Sequence, residues 1–274
     1  MSDLSTSQFQ MIARMAHDRW GLNLPEHKRS IVTSRLTSFV RKSSYASIAQ
    51  YLRHLHRNAD DEDLLVFFDV LSTNVTSFFR TPAHFDFLKK ELYAPLQEDC
   101  VNSSKQPLRL WSAACSTGPE PYSLAINAAE SLTNADQWDV KVLATDLSNS
   151  ALKEARQAVY PADAVQGLDQ PLLERHFLKG SNAKKSLVKV ARQIRDMVTI
   201  RRMNLLDPWP FQGLFDVIMC RNVMIYFDTQ TRFDLVMRFH NQLREGGYLF
   251  IGAAETLSGT QTPFHSVGAN IYQK

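Results

Sequence analysis

Three groups of polar residues carry most of the chemistry open to this chain. The first is Cys115-Ser116-Thr117-Gly118-Pro119-Glu120-Pro121-Tyr122-Ser123, small residues around one carboxylate, set between an apolar segment and an amphipathic one. Small residues let a backbone approach a ligand closely, and a helix starting there would aim its N–H groups at it. The spacing is not the GxGxxG of dinucleotide binders, and no Gly-Lys-Ser/Thr marks a phosphate loop. An ordinary strand-to-helix turn would read the same.

The second group is Asp146, in Ala144-Thr145-Asp146-Leu147-Ser148. A carboxylate at a strand end can accept ribose hydroxyls, with hydrogen bonds worth about 1.5–3 kcal/mol each. It can equally cap the helix that follows. The third is Cys220-Arg221-Asn222-Val223-Met224-Ile225-Tyr226-Phe227, two polar side chains followed by an apolar and aromatic run. That suits a wall beside a reactive methyl group, or a strand end over buried aromatics. Before it, Met203-Asn204-Leu205-Leu206-Asp207 falls where a segment touching adenine would lie, although Asp207-Pro208 also makes a turn.

These groups need a frame. After residue 105 apolar runs at 108–113, 140–145, 215–220 and 248–252 alternate with amphipathic stretches, which predicts a parallel sheet covered by helices on both faces. Ligands in such sheets bind at the carboxyl ends of the strands, near the point where strand order reverses. Each polar group follows one of these strands, and that order favours S-adenosylmethionine. NAD is compatible with the fold but not with the glycine pattern.

Up to about Phe79 no strand pattern occurs. Ile31, Val32, Leu36, Phe39 and Val40 recur at helical spacing, a second helix covers residues 47–56, and a third opens on the acidic run Asp60 to Asp63. Thr81-Pro82 starts another helix, with proline in the first turn, and a polar connector spans 98–106. Residues 176–180, 186–191 and 197–201, decorated by Lys184, Lys185, Lys189, Arg192, Arg195, Arg201 and Arg202, predict three short strands in a small antiparallel excursion. Residues 269–272 form a short returning strand. The expected division is 1–79 helical substrate recognition, 80–107 linker helix and connector, and 108–274 catalytic, with the β insert at about 175–202.

With 274 residues, one medium α/β domain and a smaller appendage fit. The net charge of +3 is too mild to name a partner. No apolar run approaches the ~20 residues that span a bilayer, and the polar start, Met1 to Gln10, is unlike a signal peptide. Cys100, Cys115 and Cys220 are too scattered for a disulfide framework or a metal pair. No metal site and a cytoplasmic location are expected. Cys115 reads as a packing residue.

Asn74-Val75-Thr76-Ser77-Phe78-Phe79-Arg80, the 116–123 loop, Ala144-Thr145-Asp146 and 220–227 together resemble the signatures of the CheR chemoreceptor methyltransferases, and the likeness extends over nearly the whole chain, including Glu26-His27-Lys28-Arg29 and Ser34-Arg35-Leu36. The resemblance implies a class I methyltransferase fold with a mostly parallel sheet, a helical N-terminal domain and a small β subdomain. It implies S-adenosylmethionine as cofactor, S-adenosylhomocysteine as product, and contacts from Asn74, Thr76, Arg80, Glu120, Asp146, Asn204, Leu205, Arg221 and Asn222, with Tyr226 near the reacting atoms. Pro119 replaces a second acidic residue usual in relatives and should be tolerated at a helix start. In the loop Gly180-Ser181-Asn182-Ala183-Lys184-Lys185-Ser186, Asn182 and Ser186 replace glycines by which some members tether a receptor's C-terminal peptide, so no strong tether is expected.

The expected reaction is methyl esterification of glutamates on chemoreceptor helices, by in-line displacement. A glutamate is ionised at neutral pH, with a pKa near ~4.3, so no general base is needed. Arg80 would orient charge and Tyr226 would donate a hydrogen bond or shape the methyl channel. From His27 to Ala59 the chain has no Asp or Glu. Lys28, Arg35 and Lys42 recur every seven residues on one helical face, with Arg41 near them. That basic stripe, or an unremarkable solvated face, would meet acidic receptor helices at a membrane-associated array. A nucleic-acid methyltransferase would also want a basic helix, but the proline pair common after strand four of adenine amino-methylases is absent. A non-catalytic adaptor that senses the cofactor is the other alternative.

Overall fold

Ser5 starts the first helix. Its hydroxyl accepts from the Gln8 N–H and the Gln8 side chain returns to the Ser5 N–H, a reciprocal cap. Helix α1 (Thr6–Trp20) buries Phe9, Ile12, Ala16 and Trp20 at helical spacing and stops at Gly21, whose φ of 67° is left-handed. A 3-10 turn (Glu26–Lys28) leads into α2 (Arg29–Lys42), which buries Val32, Thr33 and Leu36. Ser47 caps α3 (Ile48–Arg57), and Asp60 caps α4 (Asp61–Leu71) through a capping box with Asp63, so the acidic run does start a helix. Pro82 opens α5 (Pro82–Phe87), which continues through a π-helical turn (Leu88–Tyr93) into α6 (Ala94–Glu98). The computed structural model describes residues 4–72, 74–98, 105–257 and 261–274. Met1 to Asp3, Cys100 and most of the polar connector lie outside the described residues.

The larger part then alternates: β1 (Gln106–Ala113), α7 (Pro119–Ser131), β2 (Trp138–Asp146), α8 (Asn149–Gln157), β3 (Val159–Pro161), α9 (Gln170–His176), β4 (Phe177–Lys179), β5 (Leu187–Val190), α10 (Arg192–Arg195), β6 (Val198–Arg202), β7 (Phe215–Cys220), α11 (Thr229–Gln242), β8 (Leu243–Ile251), β9 (His265–Gly268) and β10 (Ile271–Gln273). The main sheet has the order β6-β2-β1-β7-β8-β10-β9, parallel except for β10 against both of its neighbours. Strand order reverses at β1, which pairs with β2 on one side and β7 on the other. The alternation of β1 sends Leu108 and Leu110 to one face of the sheet, where they meet α7 residues such as Tyr122 and Ile126. Trp111 and Ala113 go to the other face. On that face the core is continuous with the helical part: Trp20, Leu36, Tyr51 and Phe67 belong to the same buried cluster as Trp111, Phe239 and Leu249.

One sequence expectation is corrected. The small sheet is β3-β5-β4, with Val159–Pro161 supplying its third strand. Residues 197–201 do not join it; β6 pairs parallel with β2, Val142 opposite Val198 to Asp146 opposite Arg202. As an edge strand it carries exposed Arg201 and Arg202, and charge on an edge protects it from further pairing. That charge made it resemble its basic neighbours in sequence. The small sheet is pinned to the rest by Phe78, whose ring meets Tyr160 and Phe177 edge-on at 5.0 and 5.2 Å. The Tyr160 hydroxyl also donates to the Thr117 carbonyl at 2.9 Å.

Candidate functional site

The crevice at the carboxyl ends of β1 and β7 opens into a cavity of about 360 Å³. Its floor is built from strand-end loops. After β1 the chain turns through Ala114 (φ 67°) and Ser116 (φ 52°) to Gly118 (φ 101°). A side chain at Gly118 would strike the Tyr160 hydroxyl and Ala155, so glycine is required there for space as well as for dihedral. Pro119 then occupies the first position of α7, as its place in the sequence suggested.

Asp146 is the last residue of β2 and lines the cavity. It does not cap α8; Ser148 does, accepting from the Ala151 N–H at 3.0 Å. Asp146 instead accepts the Ser116 N–H at 2.8 Å and the Ser148 N–H at 2.9 Å, which ties the first loop to the second. Burial raises its pKa above the ordinary range, and these amides hold it down in part.

Glu120, in the first turn of α7, accepts from Ser112 Oγ at 2.7 Å and faces Arg221 Nη1 at 3.4 Å. Burial raises the Glu120 pKa, opposed by Arg221, Ser112 and Arg80. Arg221 is itself buried. Its Nη2 donates to the Arg80 carbonyl at 2.6 Å and to Thr81 Oγ1 at 2.8 Å, while Nε and Nη1 have no hydrogen-bond partner. A buried guanidinium with two nitrogens free of hydrogen bonds beside a buried carboxylate suits a zwitterion. Asp146 suits a diol, and Leu147, Met203 and Leu205 offer an apolar slot for a flat base. This donor set fits S-adenosylmethionine.

Every residue expected at the cofactor lines this one cavity: Asn74, Thr76, Arg80, Glu120, Asp146, Asn204, Leu205, Arg221 and Asn222, with Tyr226 beside them. Five left-handed non-glycine residues, Phe79, Thr81, Ala114, Ser116 and Asn222, sit in its loops; such strain concentrates where function over-determines the backbone. The Asn74 carbonyl accepts Ser116 Oγ at 3.0 Å, and Arg80 is exposed with Nη1 on the Val75 carbonyl at 3.2 Å. The Asn204 side chain makes a local turn with Leu206 and Asp207. Of the basic stripe, Lys28 and Arg35 line the cavity, Lys28 Nζ lying 5.0 Å from the Tyr226 ring centre. Arg35 donates to the Leu71 and Ser72 carbonyls at the end of α4. Arg41 and Lys42 are exposed at the end of α2 and do not line the cavity.

Residues 74–273 match the model for "CheR methyltransferase, SAM binding domain", and residues 7–72 match "CheR methyltransferase, all-alpha domain". The chain belongs to the CheR methyltransferase family. Its cofactor is S-adenosylmethionine. It is 38% identical to chemotaxis protein methyltransferase 2 of Pseudomonas aeruginosa, covering 96% of this chain and 91% of that one. It is 35% identical to the chemotaxis protein methyltransferase of Borreliella burgdorferi (94% and 91% covered) and to that of Escherichia coli (98% and 91%).

Two supports of the CheR-type cavity were missed in the sequence. Glu255 is 5% exposed, and its carboxylate accepts the N–H groups of Gly252, Asn222 (3.0 Å) and Ile225 (3.3 Å). It therefore shapes the loop that carries Asn222 and Tyr226. Gly252-x-x-Glu255 after a strand was the available signal. Arg238, on α11, donates to the carbonyls of Leu205, Leu206 and Asp207 and stacks 4.1 Å above Trp209. A lone arginine on an amphipathic helix gave no hint of this. Cys115 is buried, and burial pushes its thiol well above the ordinary range, which agrees with a packing role. Among the described residues no group of His, Cys, Asp and Glu could hold a metal ion, and no helix is long and apolar enough to cross a membrane.

Proposed function

We propose that this protein transfers methyl groups from S-adenosylmethionine to glutamate carboxylates on cytoplasmic helices of membrane chemoreceptors, forming methyl esters. The similarity to chemotaxis protein methyltransferases supports it. The observation that carries it is the cavity wall supplied by the helical part. Lys28 and Arg35 stand on that wall, so an acceptor entering from the helical side meets cations before it meets the cofactor loops.

The cofactor supplies an electrophilic methyl group on a sulfonium. Glu120 and Arg221 would hold its amino-acid end and Asp146 its ribose. Leu205 and Asn204 would flank the base, and Asn74, Thr76 and Asn222 would complete the cradle. The acceptor carboxylate arrives ionised, and Lys28 and Arg80 keep it so, because nearby positive charge favours the anion. No side chain has to remove a proton. Arg80 would orient the acceptor, and Tyr226, with the Lys28 cation over its ring, would fix the approach line. Alignment of this kind can supply up to ~7–11 kcal/mol of a barrier. Lys28 and Arg35 would read the acceptor, with Arg41 and Lys42 as an outer steering field. Asn182–Lys184 form a 3-10 turn in the β4–β5 loop.

The test offers labelled S-adenosylmethionine with an acidic helical receptor fragment, RNA and DNA in parallel. Base-labile label on the receptor fragment is expected. Label only on nucleic acid, or on nothing despite tight S-adenosylhomocysteine binding, would overturn the proposal.

A further inference from the structure

The last turn of α4 carries a carboxylate that its own helix does not explain. Asp69 lies near the C-terminal end of α4, where the helix dipole disfavours negative charge, and that turn has no basic residue. Its Oδ1 is buried and accepts no hydrogen bond. A buried acceptor left unmade costs stability, so the reason for this residue lies outside α4.

Asp69 faces the start of a helix in the other part of the molecule. Its Oδ2 accepts the Ser150 N–H at 3.3 Å, across 81 residues, in the first turn of α8. A helix start favours an anion as much as a helix end disfavours one. The same turn is tied to the cavity. Asp146 Oδ1 accepts the Ser148 N–H at 2.9 Å, and Asn74 Nδ2 donates to the Ser148 hydroxyl at 3.5 Å. The hydroxyls of Ser148 and Ser150 lie 3.1 Å apart. Asp69 does not itself line the cavity, whereas its neighbours Phe68, Leu71 and Ser72 do. Burial raises the Asp146 pKa, and the Asp69 charge adds to that rise, so the two carboxylates are within electrostatic reach.

We infer that Asp69 is a positioning residue for the cofactor: by fixing the Ser148–Ser150 turn against α4, it sets how Asp146 meets the ribose hydroxyls. This rests on the proposed pairing of Asp146 with the ribose and extends it to a residue of the helical part. Each oxygen of Asp146 has its own anchor, Oδ2 on the Ser116 N–H and Oδ1 on the Ser148 N–H. The Ser116 anchor belongs to the loop after β1. The Ser148 anchor moves with α8, and Asp69 restrains α8 from the side of α4.

The test uses the full-length protein and compares, by calorimetry, S-adenosylhomocysteine with its 2′,3′-dideoxy analogue, which lacks both ribose hydroxyls. Wild type should bind the parent about tenfold or more tighter than the analogue. Asp69→Ala should weaken the parent about fivefold to tenfold and the analogue less than about twofold, so the preference shrinks. Asp69→Asn keeps an acceptor oxygen for the Ser150 N–H and should stay within about threefold of wild type. Ser150→Pro, tolerated in a first helical turn, removes the donor instead; it should reproduce the Asp69→Ala pattern, and the double variant should be no worse than either single. In turnover, Asp69→Ala should raise KM for S-adenosylmethionine by the same factor, with kcat and the KM for a receptor fragment within about twofold of wild type. Equal weakening of both ligands, no weakening, or additive losses in the double variant overturns the positioning role while leaving Asp146 on the ribose. Wild type that binds both ligands equally overturns the ribose assignment and the positioning role together.

Discussion

Glu255→Gln is the most direct probe of how the loop carrying Asn222 and Tyr226 is held. The substitution keeps size and removes one acceptor. Oε2 of Glu255 serves both Gly252 and Asn222, so an amide oxygen in that place keeps those two bonds in weaker, uncharged form. The new NH2 group then points at the Ile225 N–H, which loses its acceptor. Losing one hydrogen bond to a charged group costs about 1.5–3 kcal/mol, and weakening two more brings the total to roughly 2–4 kcal/mol. Against a typical total stability of about 5–15 kcal/mol, the variant should fold. Glu255→Ala, which orphans three N–H groups at about 1–3 kcal/mol each, approaches the whole of it. Urea unfolding should show the loss for Gln. Calorimetry should show S-adenosylhomocysteine binding weakened by ~10-fold or more, since each 1.4 kcal/mol of misplacement is a factor of ten. Glu255→Met separates the roles: if the side chain only fills space, Met should match or exceed Gln. A Gln variant with wild-type urea midpoint and wild-type affinity would refute the reasoning.

Three further outcomes are expected. Glu120 and Asp146 have pKa values raised by burial, so their contribution to stability without ligand is full below the ordinary carboxylate range and is lost as pH climbs through the raised values. A cationic ligand favours their ionised forms; cofactor affinity should therefore rise over the same interval, with proton release seen by calorimetry in buffers of different ionisation enthalpy. His84 is 2% exposed, and burial lowers its pKa from 6.5 to about 4. The folded state thus binds fewer protons in that window and stability falls as pH drops from 6.5 through 4; His84→Phe should lack this component in urea titrations at pH 7 and pH 4.5, after subtraction from wild type. Arg238→Ala frees three loop carbonyls and should lower cofactor affinity ~10-fold with a loss of about 2–3 kcal/mol in stability, while Arg238→Lys, a point charge that cannot bridge them, restores only part of it.

Much of this site could be read along the chain because its parts are local. The 115–123 loop, Asp146 and Arg221-Asn222 each follow an apolar strand directly, and the sheet rule brings strand ends together without knowledge of side-chain packing. What escaped depends on long-range geometry. Glu255 acts on Asn222 across 33 residues and Arg238 on Leu205 across 33, through backbone groups that have no sequence signature. β3 is three residues long and contains a proline, too short to show a period. β6 was misplaced because its edge position and its charge are indistinguishable in sequence from a basic excursion. Lys28 and Arg35 both line the cavity, but a seven-residue spacing cannot say that the cavity ends before Arg41 and Lys42.

The unbroken apolar layer running from Trp20 and Leu36 to Trp111 and Phe239 sets a limit on modular exchange. The first 72 residues look detachable along the chain, yet cutting them away would bare one side of the sheet to water. A chimera that borrows this segment from a relative must import the matching sheet-facing side chains with it, or accept a poorly fitting joint beside the cofactor. The helical segment and the sheet it packs against are thereby inherited together, and divergence in one is constrained by the other.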